Sequence, residues 1–301
     1  MKKIAENIII ETEYTGVTLG AIVQPDRVIY IDAPLLPEHA RLWRIAATSR
    51  KKIPQQVILL DANHDRTIGS RYLECTIIAH EQTHNIYQRR PVTFKPISQK
   101  SGCDWERLRI QNGFRWIYPE IVFSQRLDLH QSELHIDLQY HPGPSYGSTW
   151  VVIPARNVVF VGDTVVIDQV PFLHTAEIGP WLSALDELEQ YYDEGFLIVG
   201  GRNGLIEKKD IQTMRSFLTR AQECLVDYAA VSESDERIDS LIARMEIDSF
   251  FRIKKDRMGN MVERLSYGLH HYFRRNFMNI DEIVFGSNEP ESEAEPESGA
   301  A

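Results

Sequence analysis

Asp61-Ala62-Asn63-His64-Asp65-Arg66 stands between an apolar run, Val57-Ile58-Leu59-Leu60, and a segment of helical character, Thr67-Ile68-Gly69-Ser70-Arg71-Tyr72-Leu73. The apolar run reads as a buried strand and the following segment as the helix it feeds. A turn of polar, ligand-capable side chains at the end of such a strand is where α/β folds place their chemistry. The fold class and the site both turn on this stretch.

Upstream, Ile8 to Glu13, Val17 to Val23 and Val28 to Ile31 read as short strands of an antiparallel meander that ends at Asp32-Ala33-Pro34. Pro37 to Ala47 reads as a helix, with Leu42, Ile45 and Ala46 on one face. Downstream, Thr76 to Ala79 is a further strand. The stretch from Arg89 to Pro119 is interrupted by proline and mixed in charge, which suits an insertion of loop or short helix beside the site. Ile121 to Phe123, Leu134 to Leu138, Thr149 to Ile153 and Val158 to Val161 return to strand character, and His135 and Asp137 alternate with apolar neighbours as on a half-exposed strand. An amphipathic helix carrying Ile178, Trp181, Leu182, Leu185 and Leu188 follows, then strand Phe196 to Val199 and a long helix with Ile211, Met214, Leu218, Ala221 and Leu225 inward. Two further helices are expected over about Ser232 to Phe250 and Asn260 to Phe277.

The chain has 301 residues, of which 43% are hydrophobic, enough for a full core in one large domain or two modest ones. A formal charge of -10 gives no basic footprint for nucleic acid. Cys75, Cys103 and Cys224 are three in number and far apart, which points to reduced thiols and a cytoplasmic setting. Glu6 and Asn7 interrupt any signal-like apolar core, and no run approaches membrane-spanning length, so neither export nor membrane insertion is expected. Residues 287–301, rich in Glu, Pro, Ser and Ala, are expected to form a disordered acidic tail.

In order along the chain stand the Asp32 turn, Asp61 to Gly69, His141-Pro142-Gly143-Pro144-Ser145-Tyr146-Gly147-Ser148, Val159-Phe160-Val161-Gly162-Asp163, and Val199-Gly200-Gly201-Arg202-Asn203-Gly204. This succession resembles the metallo-β-lactamase superfamily, whose first motif reads H-x-H-x-D-H with a glycine three residues on. The resemblance spans roughly residues 8 to 225. It implies an α/β fold, the metallo-β-lactamase-like αββα sandwich, over residues 1–228 with an insertion at about 89–119. A helical C-terminal extension over 229–286 follows. Carried over position by position, Asp65 and Asp163 keep the family's ligand type. Five positions are changed: Asp61, Asn63 and Arg66 replace histidines of the first motif, Pro144 that of the third, and Arg202 that of the last.

Zinc catalysis needs neutral imidazoles or thiolates and an open position for an activated water. Carboxylates, one amide and two guanidinium groups are a different set, and arginine is a permanently charged donor that cannot ligate a cation. The leading expectation is a degenerate metal site, without cofactor, in which Arg66 and Arg202 pair with Asp61, Asp65 and Asp163. The chain then reads as a pseudoenzyme, a non-catalytic ligand-binding or protein-interaction module. Two other readings stay open. Asp61, Asn63, Asp65 and Asp163 could hold Mg²⁺, Mn²⁺ or Ca²⁺ or, less suitably, zinc, for a hydrolase of ester, phosphoester or lactone substrates with Asp65 or Asp163 positioning water. Alternatively Arg66, Arg202 and His141 could bind a small anionic ligand. His80 and His84, four apart, could pair on a metal, although exposed histidines are commoner. His64 is expected on the surface or behind the site, and His174 near the cleft mouth. Trp105, Trp116 and Tyr118 could form a lid, with anchoring of the insertion as the plainer role. The serines near the third motif lie outside any nucleophile elbow, and the glycines after Val199 match neither a dinucleotide nor a P-loop fingerprint.

Overall fold

The structure, a computed structural model, describes residues 1–48, 53–91, 93–94, 100–108, 113–115, 117–131, 134–231 and 238–278. The acidic tail expected at 287–301, Trp116 and the start of the helix expected from Ser232 lie outside the described residues.

Among the described residues the first large sheet has strands β1 (Lys2–Ala5), β2 (Ile8–Glu11), β3 (Leu19–Val23), β4 (Arg27–Ile31), β5 (Ile53–Ile58) and β6 (Thr76–His80) in that spatial order. A two-stranded ribbon, β7 (Thr93–Phe94) with β8 (Phe114–Arg115), stands apart, and β9 (Ile121–Phe123) closes the first sheet beside β6. The second sheet runs in order through β10 (Arg126–Gln131), β11 (Leu134–Tyr140), β12 (Thr149–Ile153), β13 (Val158–Phe160), β14 (Leu197–Gly200) and β15 (Gly204–Ile206). Helices α1 (Pro37–Thr48), α2 (His64–Thr67) and α3 (Glu81–Arg89) belong to the first half. To the second half belong α4 (Ile178–Asp193), α5 (Lys208–Ala229), α6 (Asp239–Met245), α7 (Ile247–Phe250) and α8 (Met258–Phe277).

Strand alternation assigns the layers. In β4, Ile29 and Ile31 point toward the second sheet while Val28 and Tyr30 pack under α1. In β12, Val151 and Ile153 face the first sheet while Trp150 and Val152 meet α4 and α5. Strands buried on both faces read as continuous apolar runs, which is why Val28 to Ile31 and Trp150 to Ile153 carry no polar residue. The result is helix, sheet, sheet, helix, the αββα sandwich expected from the motif order. Helices α6 and α8 share the outer apolar cluster with α4 and α5 through Leu241, Met245, Met261, Leu265 and Phe273.

Local expectations needed correction. The inward face of α1 is Ala40, Trp43 and Ala47, with Leu42 and Ile45 59% and 57% exposed, because the large Trp43 ring takes the seat against Tyr30. Asp137 is buried, held by Arg126 Nε at 2.8 Å, so β11 is less open than its alternation suggests. Strands β1, β10 and β15 were not anticipated. The helix expected through Phe250 is broken into α6 and α7 at Glu246, whose φ of +47° leaves the helical region. The segment Thr67 to Leu73 tightens to a 3₁₀ helix from Ile68, and Gly69 lies so close to the Pro34 carbonyl that a Cβ would come within 1.8 Å of it. No helix among the described residues is long and apolar enough to cross a membrane.

The parallel pairs β4 with β5 and β13 with β14 set the site. Ile31 is opposite Ile58, and Phe160 opposite Val199, so the carboxyl ends of four strands converge. Asp32, Asp61, Asp163 and Arg202 follow within three residues of those ends.

Candidate functional site

Asp32 leaves β4 in the left-handed region, φ +59°, and its Oδ1 accepts the Leu60 amide at 2.9 Å, which ties the ends of two neighbouring strands together. One residue later Asp61 forms an Asx-type turn: Oδ1 accepts the Asn63 amide at 2.7 Å and Oδ2 accepts Asn63 Nδ2 at 3.0 Å. Asn63 starts α2, where Thr67 Oγ1 donates back to its carbonyl at 2.8 Å. That short helix delivers Asp65 and Arg66 inward, buried to 2% and 0% exposure.

Arg66 reaches across the sandwich. Its Nη2 donates to Asp163 Oδ1, and its Nη1 lies 3.1 Å from Asp61 Oδ2 and 3.6 Å from Asp32 Oδ2. Arg202 makes the reciprocal crossing from the end of β14. Nη1 donates to Asp65 Oδ2 at 2.6 Å and to the Gly16 carbonyl at 2.8 Å, while Nε and Nη2 lie 3.0 and 2.9 Å from Asp163 Oδ2. Asn63 Nδ2 adds a contact to the same Oδ2 at 3.3 Å. Each half of the sandwich therefore supplies a guanidinium to carboxylates of the other half.

Glycines admit this packing. Gly162, φ +57°, turns the chain so that Asp163 faces inward, and its carbonyl accepts the Gly201 amide at 2.6 Å. A Cβ on Gly201 would stand 2.7 and 2.8 Å from the two terminal nitrogens of Arg66. Thr164, next to Asp163, accepts Trp150 Nε1 at 2.9 Å through its hydroxyl and Trp181 Nε1 at 2.9 Å through its carbonyl, which fixes the turn to the outer core.

Burial and charge divide Asp32 and Asp61 from Asp163. For Asp32 burial outweighs the pull of Arg66 and pushes the carboxyl up to about 8, and for Asp61 burial likewise prevails, to about 6. Asp163 is equally buried, but Arg202 and Arg66 together overcome that penalty and hold it down at about 2. Both arginines are pushed above their ordinary range, since the carboxylates outweigh their own burial cost. Asp163 is thus the shared anion of the cluster, and Asp32 is its protonated member at neutral pH.

Of the residues singled out in the sequence, Asp61, Asn63, Asp65, Arg66, Asp163 and Arg202 come together. His141 does not join them: its ring stacks on Trp150 at 3.7 Å between centroids, its Nε2 meets Gln139 Oε1 at 3.0 Å, and burial pushes its pKa down to about 4. Aromatic packing claimed it. His80 caps α3 by accepting the Gln82 amide, with Nε2 2.6 Å from the Ser124 carbonyl, while His84 pairs with Gln88, so the two are not a metal pair. His64 packs 5.6 Å from Trp105, and Trp105 itself is buried with Leu35 and Ile68, which makes it an anchor of the insertion. His174 lies 5.7 Å from Tyr267 of α8. Three participants escaped the sequence reading: Asp32 as an acid of the cluster, Phe172 under Arg202 at 4.8 Å, and Arg264 over that same ring at 4.1 Å. The available signal for Arg264 was a charge seated among Met261, Leu265 and Gly268 on the apolar face of its helix.

Zinc does not fit this donor set. Both oxygens of Asp163 and both of Asp65 are engaged by guanidinium groups, and the positions that would supply imidazole hold Asp61, Asn63, Arg66, Pro144 and Arg202. Among the described residues no group of three or more His, Cys, Asp or Glu is arranged to hold a metal ion. The arginine side chains, 0% and 1% exposed, meet carboxylates rather than solvent, so an external anion would have to displace those partners.

No family model and no curated protein matches the chain. Solved structures do. A metallo-β-lactamase from Pontibacter korlensis superposes with a TM-score of 0.58 at 13% identity, covering 72% of this chain and 97% of its own. The chain has the metallo-β-lactamase fold. The DIM-1 metallo-β-lactamase gives 0.58 at 15% identity over 73% of this chain and 96% of its own. A double mutant of the sec-alkyl sulfatase PisA1 gives 0.65 at 12% identity over 93% of this chain. That match spans 50% of the sulfatase. These likenesses concern the fold; the metallo-β-lactamase fold here carries an Arg/Asp cluster at the carboxyl ends of its parallel strands.

Proposed function

We propose that this chain is a non-catalytic protein on the metallo-β-lactamase fold, a binding or interaction module whose former metal charge is supplied by Arg66 and Arg202. The observation that carries the reading is the fork of Arg202, which bridges Asp65 at 2.6 Å and Asp163 at 2.9 Å from the far half of the sandwich. A cation in that place neutralises the carboxylates and keeps the loops in register, the structural part of what a metal does, but it offers no open position for a water. Breaking such a buried pair leaves uncompensated charge, so the arginines are required once the histidines are absent.

The test is metal content by plasma mass spectrometry on tag-free protein purified without chelator, followed by titration with Zn²⁺, Mn²⁺ and Mg²⁺ and thermal melting at each point. Sub-stoichiometric metal throughout, with no metal-dependent rise in Tm, is expected. Stoichiometric metal, or turnover of an ester, phosphoester or lactone panel that disappears in Asp163→Ala, would replace this reading with the hydrolase.

A further inference from the structure

Helix α8 lies across the loops that flank the Arg/Asp cluster, and its arginines do the holding. Arg264, 1% exposed, donates through Nε and Nη2 to the Gly102 carbonyl at 3.1 and 2.8 Å, and through Nη1 to Gln169 Oε1 at 2.9 Å and the Val170 carbonyl at 3.0 Å. Two turns earlier Arg257 grips both oxygens of Asp104 at 2.8 and 2.9 Å. Three turns later Arg275 donates to the carbonyls of His174 and Ala176. Small residues allow the close approach: a Cβ on Gly102 would lie 2.3 Å from the Asn260 carbonyl, and one on Gly268 would lie 3.0 Å from Leu173. The helix thus fastens residues 101–104 of the insertion to residues 169–176 of the second half.

One ring joins this fastening to the cluster. Two guanidinium groups lie over the Phe172 ring, Arg202 of the cluster at 4.8 Å and Arg264 of α8 at 4.1 Å from its centroid. Arg202 is in turn oriented by Asp65 and Asp163. A loss of order at Asp65 therefore has a contact path, through Arg202 and Phe172, to Arg264 and α8.

We infer that α8 is an intramolecular strap that closes the cleft over the Arg/Asp cluster, and that its docking is coupled to the cluster through Phe172. Access to the cluster requires α8 to lift, and rearrangement of the cluster releases α8. The inference does not depend on whether the site binds a metal.

Hydrogen exchange read by mass spectrometry on the full chain tests it. Asp65→Asn, which acts on Arg202, is expected to speed exchange in α8 at least tenfold and leave α5 within twofold of the parent. Phe172→Leu is expected to speed exchange in α8 by itself, and adding Asp65→Asn to it is expected to change α8 less than twofold further. Unchanged α8 protection in Asp65→Asn, or equal loss in α8 and α5, would overturn the coupling. Should Asp65→Asn fail to fold, Phe172→Leu decides alone: α8 protection equal to the parent overturns the strap.

Discussion

Arg202 and Asp163 meet with two guanidinium nitrogens, Nε at 3.0 Å and Nη2 at 2.9 Å, on the same carboxylate oxygen. The planar fork has a third nitrogen left over for Asp65, and a lysine could not span both acids. Arg202→Ala is expected to cost about 3–5 kcal/mol, because buried Asp65 loses its guanidinium partner and Asp163 is left with Arg66 alone. Arg202→Lys should fall between alanine and the parent. Urea unfolding of the three proteins checks the order, and an alanine variant as stable as the parent would contradict a structural role for the pair.

Stability should peak slightly below neutral pH. Asp32 is raised from 3.8 to about 8 in the folded chain, so the folded state holds a proton that the unfolded state releases, and stability is lost as pH rises toward 8. His141 and His174 are depressed by burial from 6.5 to about 4 and about 3, and His64 is also lowered, so stability is lost as pH falls below 6.5. Asp163, lowered from 3.8 to about 2, adds to the acid limb below about pH 4, whereas Asp61, raised to about 6, opposes it. Between pH 6.5 and 8 Asp32 dominates, with a slope of up to about 1.4 kcal/mol per pH unit for one proton. Asp32→Asn, which keeps an oxygen for the Leu60 amide, should flatten that limb in melts taken across the range.

Gly201→Ala is expected to destabilise by about 1–3 kcal/mol, since its methyl group would press on the pinned end of Arg66. Gly179→Ala is the control, because nothing lies within 4 Å of the added carbon. Thermal melts of both variants should separate them clearly; equal Tm values would mean that Arg66 has room to move.

Thr164→Val should cost about 1–3 kcal/mol by leaving the indole N–H of Trp150 unpaired in the core. Denaturant unfolding of the variant against the parent reports the cost, and equal stability would mean that the Trp150 indole does not depend on the Thr164 hydroxyl.

The sandwich was legible because strands buried on both faces leave unbroken apolar runs, as in Val57 to Leu60 and Val158 to Val161, and because the order of the motifs around Gly69, Gly162 and Gly201 resembles that of a known fold. The cluster was legible for a related reason: two arginines set among several aspartates in neighbouring strand-end turns have few physical outcomes other than pairing. His141 misled because its sequence position, three residues before Pro144, says nothing of the Trp150 ring that takes its plane. Leu42 and Ile45 misled because apolar spacing alone does not tell which side of α1 the larger Trp43 will claim. Arg264 lies 162 positions from Gly102, and pattern within one helix carries no information about a contact at that separation.

The exchange of arginines between the halves also constrains the order of folding. Arg66 and Asp163 are 97 positions apart, and Arg202 and Asp65 are 137 apart, so an N-terminal half emerging first from the ribosome carries Asp61, Asp65 and Arg66 with the mixture of charges unbalanced. Such a half has every reason to keep that corner hydrated, and the loop-closure entropy of bringing Arg202 home falls late. The polar corner of the first sheet is dry only once Asp163 and Arg202 of the second half are in place, so the cluster is complete only when both halves have folded.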